Sequence, residues 1–160
     1  MGQLVFQATL GGQVNLVGPN TASTYNLNVP AASDTIVARD TTDTLTNKTL
    51  TNPTVTNYVE TRFTANSSTA ITLNLANGTM QDITLTGSPT ITMPTAVAGK
   101  SFLLLLRSGS GSYTVTWTTV KWPGGTAPTV TATASRLDIY SFFSDGTNWY
   151  GVTVNQNYTP

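Results

Sequence analysis

The chain has neither cysteine nor histidine, and the two absences remove much of protein chemistry. Without cysteine there is no disulfide framework and no thiol nucleophile, and redox compartment leaves no mark on the sequence. Without histidine the common zinc sites and the Ser-His-Asp arrangement are missing. Charge is scarce as well. Seven basic and seven acidic side chains in 160 residues sum to zero. No Lys/Arg cluster of the kind that nucleic acid or an anionic membrane requires is present. The only glutamate is Glu60, so a carboxylate pair for glycoside hydrolysis would have to draw on Asp34, Asp40, Asp43, Asp82, Asp138 or Asp145. Asp145 precedes Gly146 in a turn, where its side chain is expected to bond its own backbone. Asp138 stands beside Arg136 in a strand-like segment and reads as a surface pair. Asp40 and Asp43 offer fewer oxygens than calcium takes and read as a polar bend. Gly109-Ser110-Gly111-Ser112 lacks the lysine of a phosphate loop. No enzymatic activity, cofactor or metal is therefore expected.

Long apolar runs are missing too. The longest, Phe102 to Leu106, is far too short to cross a bilayer. Met1-Gly2-Gln3-Leu4-Val5-Phe6 has neither the basic start nor the long apolar core of a secretory signal. A product made in the cytoplasm, with no membrane insertion and no nucleic-acid partner, is the expectation.

What the chain has in abundance is threonine, about a fifth of its residues, which favours strands over helices. The most informative stretch runs from Thr44 to Asn57. Leu45, Leu50 and Val55 recur every five residues, and each is followed by Thr-Asn. A helix needs apolar spacing of three and four, and a half-buried strand needs two. Thr and Asn are poor in helix interiors and Pro53 removes a backbone donor. An extended, kinked chain remains, and it cannot bury these residues by itself. Three copies wound about one axis could, each supplying one apolar residue per layer. Two other readings fit the same pattern. One is a polar interdomain linker, commonly rich in Thr, Asn and Pro. The other is a pentapeptide solenoid, which needs more coils than these three units provide.

Around that stretch the sequence reads as β structure. Leu4, Phe6, Ala8 and Leu10 alternate, Gly11-Gly12 permits a reversal, and Val14 and Leu16 continue the alternation. Tyr25, Leu27 and Val29 make a third such run, and Ile36-Val37 a last short one. Residues 1–39 are thus expected to form a small β module that needs a covering surface. Beyond the shaft, Ile71, Leu73 and Leu75 alternate, Asn77-Gly78 reads as a type I′ turn, and Ile83 and Leu85 answer it. Ile91 and Met93, Phe102 to Leu106, Tyr113 to Trp117, Leu137 to Phe143 and Trp149 to Val154 add further strands. Phe102 to Leu106 has no alternation and reads as a strand buried on both faces. Short strands with turns about every ten residues predict a jelly-roll-like β-sandwich over 61–160. The expected fold is all-β: an N-terminal module (1–39), an extended intertwined shaft (40–60) and the C-terminal sandwich.

Several blocks also resemble known proteins. Asp40-Thr41-Thr42-Asp43-Thr44-Leu45-Thr46-Asn47-Lys48-Thr49-Leu50 resembles a segment of tailed-bacteriophage fibre proteins. Val120-Lys121-Trp122-Pro123-Gly124-Gly125-Thr126-Ala127-Pro128 and Phe143-Ser144-Asp145-Gly146-Thr147-Asn148-Trp149-Tyr150-Gly151 are similar to the terminal domain of related phage structural proteins. The resemblance spans roughly residues 40 to 157. It implies a virion fibre, spike or head-decoration protein, trimeric, attached through its N-terminal part to a capsid or tail protein. It carries over no catalytic residues. In that setting Leu45, Leu50 and Val55 form the trimer core. The chain is short beside typical tail fibres, which favours a short capsid or tail appendage. The alternative is a receptor-binding tip of a tail fibre that recognises a host-surface glycan. Trp117 and Trp149 are expected to face inward and anchor the sandwich. Trp122, beside a Pro-Gly-Gly turn, is then the expected surface contact for the glycan.

Overall fold

The computed structural model describes residues 22–24, 42, 44–46 and 48–160. The chain divides into two compact units, 1–52 and 53–160. The strands expected between Leu4 and Val37, and with them the 1–39 module, lie outside the described residues except for Ala22, Ser23 and Thr24. Asp34, Asp40 and Asp43 lie outside them as well. In the first unit the described residues adopt no regular element, and Leu45 and Leu50 are exposed. Asn52 has φ 50°, a left-handed kink that asparagine tolerates.

In the second unit the chain winds back and forth between two sheets. β1 (Arg62–Ser67) leads into β2 (Ala70–Thr72), β3 (Met80–Leu85) into β4 (Thr90–Thr92), and β5 (Ser101–Arg107) into β6 (Thr116–Thr118). β1, β3 and β5 lie side by side and parallel, and so do β2, β4 and β6. Each passage through both sheets is one turn of a flattened coil, and three turns stack. β7 (Val120–Lys121), β8 (Leu137–Ser144) and β9 (Trp149–Tyr158) then complete the larger sheet. Its order is β1-β3-β5-β8-β9-β7, with β8 antiparallel to both β5 and β9.

Stacking puts like on like. Ile71, Ile91 and Trp117 sit in register across the small sheet, and Ala65, Ile83 and Leu106 across the large one. These inward residues meet between the sheets, where Ile83, Ile91, Leu104, Tyr140 and Phe142 have no solvent exposure. The corners are as tight as the core. A Cβ on Gly87 would lie 2.4 Å from the Ser68 carbonyl oxygen, and one on Gly109, at φ 55°, 2.0 Å from that of Leu85. Only glycine lets one turn of the coil rest on the next there.

The all-β expectation agrees with this architecture. The antiparallel order of a jelly roll does not describe the first six strands, which pair with one another in parallel. The difference begins at Asn77-Gly78, which makes no hairpin. Leu75–Asn77 is a 3-10 turn, capped by the Asn74 side chain accepting from the Ala76 N–H at 2.9 Å. It returns the chain from the small sheet to the large one. The Phe102 to Leu106 run also differs from expectation. Phe102, Leu104 and Leu106 enter the core, whereas Leu103 and Leu105 are only half-buried on the opposite face.

Candidate functional site

The three residues expected at a trimer axis are uncovered in the single chain. Leu45 is 50 % exposed, Leu50 60 % and Val55 58 %, and Tyr58 and Val59 further on are more exposed still. Five exposed apolar side chains thus fall within fifteen residues, 45 to 59.

Trp122 does not stand on the surface. It is 9 % exposed, and its ring meets Trp117 edge-on at a centroid distance of 5.2 Å, with Phe142 at 5.7 Å and Tyr140 at 6.0 Å. The reason is local pairing. β7 runs parallel to β9, Val120 beside Trp149 and Lys121 beside Tyr150, and Trp122 follows directly, its indole lying over Gly151. A ring enclosed on these sides offers no face to a sugar. Trp149 is inward as expected, 2 % exposed, its indole N–H donating to the Pro94 carbonyl at 2.8 Å. Trp117 is half-buried against the same core.

The aromatic pair that does reach the surface is Phe143 and Tyr150, stacked at 5.1 Å, with Phe143 56 % exposed. The signal was the Phe142-Phe143 doublet, because neighbours in a strand point to opposite faces. The Tyr150 hydroxyl donates to Asp145 Oδ2 at 2.9 Å.

The described carboxylates are each occupied by donors. Asp82, on β3, is 2 % exposed and lies between two guanidinium groups. Arg107 Nε donates to Oδ1 at 2.8 Å and its Nη2 to Oδ2 at 3.0 Å, while Arg62 also donates to Oδ2. The hydrogen bond to Asp82 raises the Arg107 pKa, with burial opposing it. Asp138 is equally buried and is not the surface partner of Arg136. It accepts from the Thr131 N–H at 2.7 Å and hydroxyl at 2.6 Å, from Gln156 and the Asn157 N–H at 3.0 Å, and from the Tyr140 hydroxyl at 3.1 Å. Burial pushes its pKa up, yet these donors outweigh burial and the net shift is downward. Burial, and the Asp138 charge next, push the Tyr140 hydroxyl well above its ordinary value. Asp145 accepts from the backbone of Asn148 at 2.7 Å and Thr147 at 2.8 Å, as its turn position predicts. Those bonds bring it down to about 2. Glu60 accepts from Thr79 at 2.6 Å and from Tyr58 at 3.3 Å.

Asp138 and Asp145 are thus held as anions by fixed donors, the opposite of the raised carboxylic acid that general-acid catalysis uses. Among the described residues no group of three or more His, Cys, Asp or Glu side chains could hold a metal ion. In comparisons with known proteins, no family model, no curated protein and no solved structure matches the chain.

Proposed function

We propose that the chain is a structural protein of a phage virion: a homotrimeric short fibre, spike or capsid decoration protein. In this reading residues 1–39 dock onto a capsid or tail protein, residues 40–60 wind with two sister copies into a shaft, and the β domain is displayed beyond it. The observation that carries the reading is the exposure, within one chain, of Leu45, Leu50 and Val55 at five-residue intervals. Covering the part of each that is still exposed is worth about 1–1.5 kcal/mol. The phage-like blocks at 40–50, 120–128 and 143–151 supply the virion context.

The reading as a glycan-binding tip relied on Trp122, and burial of that ring leaves it without its expected contact. The virion role is tested on particles. Purified particles probed with a gold-labelled antibody against this chain should carry label at a fixed site on head or tail. Particles free of the protein would contradict the proposal.

A further inference from the structure

The outward face of the six-stranded sheet is apolar across β5, β8 and β9. Strand register brings Leu103 and Leu105 of β5 beside Ser141 and Ile139 of β8, and Phe143 and Ser141 of β8 beside Tyr150 and Val152 of β9. Leu103, Leu105 and Ile139 are half-buried, and Phe143, Val152 and Val154 are exposed by 56 %, 44 % and 55 %. The opposite faces of the same strands fill the core, so this is a second apolar surface with no second layer over it among the described residues. A contiguous exposed apolar patch of this kind is often an interaction surface.

We infer that this face packs against the same face of two sister copies, so that three large sheets wall a common apolar interior. The inference rests on the homotrimer reading and extends it from the shaft to the displayed domain. Three observations favour a copy of this chain as the occupant. First, the shaft runs into the face. Glu60, which directly follows the strongly exposed Tyr58-Val59 pair, lines one shallow depression with Leu103 and Ser141. Whatever covers Val55, Tyr58 and Val59 therefore meets the sheet next. Second, charge permits it. Arg107, at the end of β5, is tied with Arg62 to Asp82, and β8 and β9 carry no charged side chain but the buried Asp138. Third, the face and the shaft offer area together. Three strands about 4.8 Å apart and some 20 Å long present roughly 300 Å². The exposed Val55, Tyr58 and Val59 that lead into the sheet add to it.

The native chain has no cysteine, so single thiols report cleanly. Val152→Cys lies on the proposed interface, and Thr116→Cys on the outward face of the small sheet, across the core from it. Both full-length variants are sized by light scattering, labelled with a maleimide and treated with a short bismaleimide. The expected result is a trimer in which Val152→Cys labels at least about tenfold more slowly than Thr116→Cys and yields covalently linked copies. A Val152→Cys variant that is monomeric, with an unchanged far-UV spectrum, beside a trimeric native chain also supports the face. A trimer in which both thiols label alike and neither links copies overturns this inference while leaving the trimer reading intact. A monomeric native chain overturns both.

Discussion

Replacing Trp122 separates a core residue from a surface contact. The ring is 9 % exposed and meets three other aromatic rings at 5.2 to 6.0 Å. Truncating a packed Trp to Ala costs about 3–5 kcal/mol through lost burial and the cavity left behind. One feature opposes that loss. The indole Nε1 of Trp122 has no acceptor in the protein, and an unpaired buried donor costs about 1–3 kcal/mol. Trp122→Ala removes that penalty along with the ring, so its effect belongs near the lower end, about 3 kcal/mol. Trp122→Phe keeps most of the ring and deletes the unpaired N–H, and should fall within about 1 kcal/mol of the native chain. Urea unfolding at fixed chain concentration reads both. With a slope of about 1–3 kcal/mol per molar, Trp122→Ala should lower the midpoint by about 1–3 M. A midpoint unchanged in Trp122→Ala would refute the placement of this ring and restore Trp122 as a candidate surface contact.

Other expectations follow from single contacts. A Cβ on Gly151 would lie 2.7 Å from the Trp122 ring and 2.8 Å from that of Phe142, so Gly151→Ala should cost about 1–3 kcal/mol by overpacking; an unaltered melting temperature would contradict it. Asp138 has a folded pKa below its unfolded one. Its stabilisation is therefore present above the ordinary carboxylate value and is lost as pH falls through the folded value. Asp138→Asn should flatten the acid side of the stability profile between those two values, and an identical slope in both proteins would count against the network. Leu50→Asp should dissociate the trimer, because three carboxylates on one axis would be buried without partners; a variant of native mass would show that Leu50 is not central.

Much of the second unit was legible as strands, because alternation marks one buried face whatever the partner. Leu137 to Phe143, the Asp145-Gly146 turn and Trp149 to Val154 form the β8-β9 pair as read. Parallel stacking was not legible. Arg62 pairs with Met80 and Met80 with Leu103, separations that leave no local signature, whereas Asn-Gly reads as a hairpin wherever it falls. Gly78 is glycine for another reason: a Cβ there would lie 2.2 Å from the Thr61 carbonyl oxygen. The unbroken apolar run of β5 was the misread clue of most consequence. It reads as a strand buried on both faces, and within one chain only Phe102, Leu104 and Leu106 are buried, Leu103 and Leu105 being half-exposed on the other face. Trp122 was misassigned because a tryptophan beside Pro-Gly-Gly looks like a loop residue, and its pairing through β7 with β9 lies far along the chain.

Sedimentation equilibrium of the full-length chain at several concentrations bears most directly on the claim that sister copies complete this molecule. The expected result is a single species of three times the 16.9 kDa chain mass, retained on dilution. A species of one chain mass at every concentration would contradict it.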